Sequence, residues 1–168
     1  PGQPGMISMS TGFPSPRFHP VEEMAEIAQR VFSEEGEAAI SYTAPEGHLA
    51  LREQIATHVD GEALDPDQVI VTTGAQQALD ITYRTLLGPG DVAVIESPTF
   101  TGSLLAMRAT GARVIGVPVD EDGLDVEALE AVLARHEVRL LSLQATCHNP
   151  TGVDLTPERR ERLMRLAV

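Results

Sequence analysis

Gln68–Leu87 reads QVIVTTGAQQALDITYRTLL, and the change of period inside it decides the fold. Val69-Ile70-Val71 is a short β-branched apolar run, which reads as a buried strand. Thr72-Thr73-Gly74-Ala75 is a turn of small residues. After it, Ala78, Leu79, Thr82, Leu86 and Leu87 recur at helical spacing. The expected order is strand, tight glycine turn, helix. A helix start presents unpaired N–H groups and the positive end of the helix dipole. Gly74 lets a ligand approach the backbone, and Thr72, Thr73 and Gln76 add side-chain donors. Such a turn could hold a phosphate dianion without any lysine. Taken alone, the stretch reads more readily as an ordinary βα turn, so its surroundings decide.

Downstream the alternation continues. Gly88-Pro89-Gly90-Asp91 breaks the helix, and Val92-Ala93-Val94-Ile95 is a second strand. Thr99–Thr110 reads as a helix with Leu104, Leu105 and Met107 apolar, closed by Gly111. Val114–Val119 is a third strand, and Asp120-Glu121-Asp122-Gly123 a turn. Val126, Leu129, Val132 and Leu133 mark a further helix, and Val138–Leu143 a fourth strand. Cys147-His148-Asn149-Pro150-Thr151-Gly152 follows. A last helix starts with Thr156 as N-cap and Pro157 at its first position. Strands alternating with helices predict an α/β protein: a three-layer α/β/α arrangement on a mainly parallel sheet. In such sheets ligands sit beyond the carboxyl ends of the strands, where Gly74, Phe100 and Asn149 all fall.

Upstream, Pro1–Pro20 is rich in glycine and proline and reads as an extended arm. A helix follows from Pro20, with Met24, Ile27, Ala28, Val31 and Phe32 on one face. Gly47–Val59 is a second helix, with Leu51, Ile55 and Val59 at its apolar positions. The expected division is an arm and first helix over 1–45, then the first half of a ligand-binding domain over 46–168. The chain begins without methionine and stops inside an apparent helix, so a fragment of a longer protein is expected.

Composition narrows the classes. The chain has 168 residues, 42% of them apolar, with a formal charge of −13. That charge argues against nucleic acid or an anionic membrane as partner of this segment. No stretch approaches the roughly 20 apolar residues of a membrane span. The single cysteine, Cys147, fits a reducing, cytoplasmic setting and reads as a buried small residue. No metal-ligand spacing stands out. All 12 basic residues are arginine. A reaction that requires lysine cannot run on these residues alone.

The order of motifs resembles the aminotransferase class I/II family, pyridoxal 5′-phosphate (PLP) enzymes of fold type I. Tyr42-Thr43-Ala44-Pro45-Glu46-Gly47 followed by Leu51-Arg52 is similar to one family segment, and Thr73-Gly74-Ala75-Gln76-Gln77-Ala78 to its phosphate turn. Gly88-Pro89-Gly90-Asp91, Glu96-Ser97-Pro98-Thr99-Phe100 and Val119-Asp120-Glu121-Asp122-Gly123-Leu124 follow in the family's order. His148-Asn149-Pro150-Thr151-Gly152 is the most specific piece. The nearest subgroups by resemblance are the 2-aminoadipate and kynurenine aminotransferases and the effector domains of MocR-type (GntR-family) regulators.

The resemblance implies PLP as cofactor, an amino acid and a 2-oxo acid as substrates, and a homodimer. It places the cofactor phosphate on the backbone of Gly74, Ala75 and Gln76. Phe100 would stack on the pyridine ring where most relatives carry tyrosine; its other reading is a core phenylalanine. Asn149 would donate its amide N–H to the cofactor's phenolate oxygen, or else serve only as a turn residue. Tyr42 would reach a neighbouring subunit's cofactor phosphate, or be a surface loop tyrosine. Gly12 resembles the arm glycine over the substrate, and equally a free terminus. Arg52 is expected to pair with a carboxylate of the fold, and His148 to be structural. The family's Schiff-base lysine, pyridine-nitrogen aspartate and substrate-carboxylate arginine have no counterpart here, so no catalytic residue is assigned. The alternatives to an aminotransferase are a MocR-type effector domain and another fold type I reaction, such as a β-lyase or a decarboxylase.

Overall fold

The structure, a computed structural model, describes residues 12, 14–58 and 64–167. Most of the expected N-terminal arm therefore lies outside the described residues. The chain divides into two compact units, Pro1–Val69 and Ile70–Val168.

The first unit carries α1 (Val21–Glu35) and α2 (Leu49–His58). The apolar face predicted for α1 is real in pattern, but Met24, Ile27 and Phe32 are exposed. Arg52 of α2 is buried, as its pairing role requires. Its Nη1 donates to the Pro66 carbonyl at 2.8 Å and to Asp67 Oδ1 at 3.2 Å. Asp65 caps the short 3-10 turn Pro66–Gln68 through a reciprocal pair with Gln68. Tyr42 is fully exposed, and Gly12 is exposed with open space around its Cα.

The second unit is a four-stranded sheet of β1 (Val92–Ser97), β2 (Arg113–Asp120), β3 (Gly123–Leu124) and β4 (Val138–Ser142), in the order β3-β2-β1-β4. β1 pairs in parallel with β2 and with β4. The turn expected after β2 is present, and it closes a short hairpin: Gly123 and Leu124 fold back as β3, antiparallel to β2 through Asp120 and Gly123. The helices are α3 (Ala75–Leu86), α4 (Thr101–Arg108), α5 (Val126–Leu133) and α6 (Pro157–Leu166).

Alternation along β1 builds two cores, because successive side chains leave a strand on opposite faces. Ala93 and Ile95 meet Tyr83 and Leu87 from α3 and its end, and Ala106 and Met107 from α4. Val94 meets Val117, Leu124, Val126, Leu129 and Leu163 on the other face, under α5 and α6. Burying a side chain such as Leu129 contributes about 1.5–3 kcal/mol. This is the expected three-layer α/β/α arrangement. Arg159 of α6 forks onto Asp120 at 2.6 and 2.8 Å and donates to the Gly123 carbonyl at 2.9 Å, which fixes α6 against the β2–β3 turn. Thr156 and Pro157 do stand at the N-cap and first position of α6, without a side-chain capping bond.

One predicted strand is absent. Val69–Val71 belongs to no strand, and Gly74 therefore follows an extended segment instead of a strand end. A β-branched run specifies extended backbone, but a strand also needs a neighbour to accept its ladder bonds. Among the described residues none is supplied, and the outer edge of β4 is likewise unpaired.

Candidate functional site

The carboxyl ends of β1 and β4, with the starts of α3 and α4, enclose a pocket of about 460 Å³. Ala75, Ala78 and Leu79 of α3 form one wall. Phe100 and Asn149, far apart in sequence, both line it, as their shared place after strand ends predicted. Ala75 lines it too, whereas Gly74 and Gln76 do not.

The local reasons are visible in the chain. Gly74 has φ 86° and ψ 169°, a backbone region open to glycine, so the chain swings sharply into α3. A Cβ there would meet nothing within 4 Å, so the demand for glycine comes from the backbone alone. The first N–H groups of α3, on Ala75, Gln76 and Gln77, find no acceptor among the described residues. The Thr73 N–H is already used: it donates to Gln77 Oε1 at 2.6 Å. Gln76 turns away from the pocket and donates through Nε2 to the Gly102 carbonyl at 3.1 Å. It thereby joins the start of α3 to the start of α4.

Phe100 is the N-cap residue of α4 and is 38% exposed, so it is not a core phenylalanine. Its ring lies over Gly102: a Cβ on that glycine would stand 2.6 Å from Cε1 and Cζ. The buried Tyr83 hydroxyl bridges Ser103 and Ser142, 2.6 Å from each. Both serines line the pocket floor.

Asn149 is held by its backbone. Its N–H donates to Gln144 Oε1 at 3.0 Å, while its carboxamide makes no hydrogen bond to the described residues. Next to it, His148 is buried, as a structural ring should be, and is paired with the buried Glu96. Burial pushes the Glu96 carboxyl up from its ordinary range, opposed by the Gln144 N–H and by His148. Cys147 is exposed, contrary to expectation. It occupies a left-handed bend at φ 47° and gives its N–H to Asp154 Oδ1 at 2.6 Å, which turns it outward.

Glu96, Ser103, Ser142 and Gln144 were missed as site residues. Glu96 left one trace in the sequence: a carboxylate closing the apolar strand Val92–Ile95. The serines left none, because a hydroxyl on a helix or strand carries no periodic signal. Tyr42 and Gly12 belong to the first unit. Among the described residues no group of side chains could hold a metal ion.

Residues 4–168 match the family model described as aminotransferase class I and II. The chain belongs to the aminotransferase class I and II family. It is 40% identical over 167 residues to a 2-aminoadipate transaminase of Thermus thermophilus, covering 99% of this chain and 41% of that protein. An uncharacterised HTH-type transcriptional regulator of Escherichia coli is 29% identical, over 97% of this chain and 36% of its own length. Among solved structures, LysN, the alpha-aminoadipate aminotransferase of Thermus thermophilus complexed with N-(5′-phosphopyridoxyl)-L-leucine, superposes with a TM-score of 0.88 at 38% identity. That match covers 94% of this chain and 40% of LysN. The kynurenine aminotransferase of Pyrococcus horikoshii superposes at 0.86 with 31% identity, over 94% of this chain and 41% of its own. This aminotransferase-family chain thus spans about two-fifths of the length of these enzymes.

Proposed function

We propose that this chain is the N-terminal part of a PLP-dependent aminotransferase and that its pocket receives the cofactor. The observation that carries the reading is the convergence of three residues on one cavity of about 460 Å³: Ala75, whose N–H is the first of the open groups at the start of α3, Phe100, and Asn149 with its free carboxamide. They answer, in order, to a phosphate dianion, an aromatic ring and an oxyanion. These are the features of PLP that a protein must bind.

In this reading the first turn of α3 takes the phosphate through backbone N–H groups and the helix dipole. Phe100 offers its π-face to the ring, without the hydroxyl that a tyrosine would add. Asn149 donates its side-chain N–H to the phenolate oxygen. The apolar wall of Ala78 and Leu79 keeps water from the ring. When bound, PLP supplies an electron sink for breaking the Cα–H bond of an amino acid. Nothing in this chain can link to it covalently as a lysine would, because no lysine is present. The complete protein would then move an amino group between an amino acid and a 2-oxo acid. Tyr42 and Gly12 keep the roles that the resemblance gives them, toward a partner subunit's cofactor phosphate and toward substrate, in a homodimer. A regulator that senses PLP through the same pocket is the second reading, supported by the regulators among the relatives.

The test uses the full-length protein. Incubation with PLP, borohydride reduction and peptide mapping by mass spectrometry should place a pyridoxyl group on a lysine outside residues 1–168. Inorganic phosphate should compete for PLP. An adduct on a residue of this chain, or no PLP binding at all, overturns the proposal. Turnover of an amino acid with a 2-oxo acid separates the enzyme from the regulator.

A further inference from the structure

Glu96 and His148 are both almost fully buried, at 3% and 2% exposure. Glu96 lines the pocket and His148 does not, and the reading above gives neither a role. A buried carboxylate beside a buried imidazole costs desolvation, so its retention calls for a role. Its surroundings show what the pair touches. Glu96 Oε2 accepts the Gln144 N–H at 2.9 Å and lies 3.3 Å from His148 Nε2. The Nε2 contact is electrostatic more than an aligned hydrogen bond, and Nε2 has no other partner. On the far side of the ring, Nδ1 is 2.7 Å from the Thr151 hydroxyl. With that hydroxyl donating to Nδ1, the ring proton sits on Nε2, facing the carboxylate.

The consequence falls on Asn149. It stands between two anchored points: His148, pinned by Glu96 and Thr151, and the Gln144 side chain that accepts the Asn149 N–H at 3.0 Å. Gln144 in turn has its own N–H on Glu96. One oxygen at the end of β1 therefore braces both ends of the segment 144–149. The Asn149 carboxamide has no side-chain partner of its own among the described residues, so the anchoring of its backbone sets where it points: this bracing, together with the His148 backbone bonds to the Val153 carbonyl and the Gly152 N–H.

We propose that Glu96 and His148 form a buried positioning pair whose function is to aim the Asn149 carboxamide at the ligand in the pocket. The proposal rests on the PLP reading of that pocket. It makes Glu96 and His148 positioning residues, acting through Asn149 and not on the ligand.

The test is a mutant cycle on the full-length protein, read by PLP affinity and by the absorption maximum of bound PLP. Glu96→Leu keeps the volume and removes the acceptor, and Asn149→Ala removes the aimed group. Each should weaken PLP about tenfold and shift the absorption maximum in the same direction, the size expected for directly coupled neighbours. The double variant should bind no worse than Asn149→Ala. Glu96→Gln, which keeps an acceptor for the Gln144 N–H, should recover affinity to within about twofold of wild type. If Glu96→Leu does not fold, Thr151→Val opens the same brace from its exposed end. It should cost about threefold, again only when Asn149 is present. Losses that multiply across the cycle, or an unchanged affinity and absorption maximum, overturn the proposal. Should wild type bind no PLP, the function reading fails, while hydrogen exchange at the Asn149 N–H still decides this one. Faster exchange in Glu96→Leu or Thr151→Val supports the brace, and unchanged exchange overturns it.

Discussion

Gly102→Ala sets helix propensity against the geometry of the pocket. Gly102 is the second residue of α4 and has ordinary helical backbone. Propensity alone predicts that alanine stabilises this helix, by up to about 1 kcal/mol. The structure predicts a conflict. The new Cβ would stand 2.2 Å from Gln76 Oε1 and 2.6 Å from Phe100 Cε1 and Cζ. All three atoms are ends of side chains that can move, so the fold yields where the site does. Gln76 gives up its bond to the Gly102 carbonyl, worth about 0.5–1.5 kcal/mol. The Phe100 ring, already partly exposed, rotates off the pocket wall. These terms nearly cancel the propensity gain. Stability should change by less than about 1 kcal/mol, or no more than about 4–8 °C in Tm for a unit of this size. Ligand binding should suffer more, because an aromatic pair contributes about 0.5–1.5 kcal/mol beyond its area, roughly 2- to 13-fold in affinity. The assay pairs thermal melting with a PLP titration of the full-length protein, for Gly102→Ala, Phe100→Ala and the double variant. The double variant should bind no worse than Phe100→Ala, since both remove the same face. Wild-type affinity in Gly102→Ala, with Tm unchanged, would refute the reasoning.

Gly123→Ala should destabilise strongly, by about 2–4 kcal/mol in urea unfolding. Its φ is 95°, and a Cβ would come within 2.9 Å of the Leu155 Cα, a backbone atom that cannot swing aside. A loss below about 1 kcal/mol would contradict that geometry. Acid should weaken, without breaking, the hold of Arg159 on the β2–β3 turn, because its bonds to the Gly123 and Leu124 carbonyls do not titrate. Hydrogen bonding from Arg159 is the largest cause holding the Asp120 carboxyl below its ordinary 3.8. A lowered folded pKa means stability that is present above the unfolded value and is lost as pH falls through the folded one. Asp120→Asn should therefore cost less than about 1 kcal/mol at neutral pH, given the exposure of the pair. The gap to wild type should close below pH 3.8, and a gap that widens there would be inconsistent with the pairing.

Much of the fold was legible because it is written in local periods. Val92–Ile95 is continuously apolar and β-branched except at Ala93, and β1 formed there, between β2 and β4. Of the apolar positions expected for α3, Leu79 and Leu87 do face that sheet, whereas Leu86 is exposed and the buried contact is made by Tyr83, which that spacing did not mark. The exception is instructive. Val69–Val71 has as clear a strand pattern as any in the chain, yet it stands in no ladder. A pattern can demand extended backbone, but only a neighbouring strand can complete its hydrogen bonds. The two-residue β3 is the converse, since no period exists over two residues.

The site divides along the same line. Sequence by itself determined the glycine turn at Gly74, the placement of Phe100 and Asn149 beyond strand ends, the lack of any lysine, and the family pattern those motifs form; the same placement expected for Gly74 failed, because no strand precedes it. Those are properties of residue identity and short spacing. Tertiary structure decided that Gln76 braces α4 instead of lining the pocket, that Cys147 faces outward, and that Tyr83 bridges Ser103 and Ser142 at the pocket. It also decided that Glu96 meets His148, 52 positions along the chain, inside the protein. Each of these depends on which chain segments the sheet brings within about 3 Å of each other. A hydrogen bond is that short-ranged, and no regularity in the sequence encodes a distance between segments so far apart.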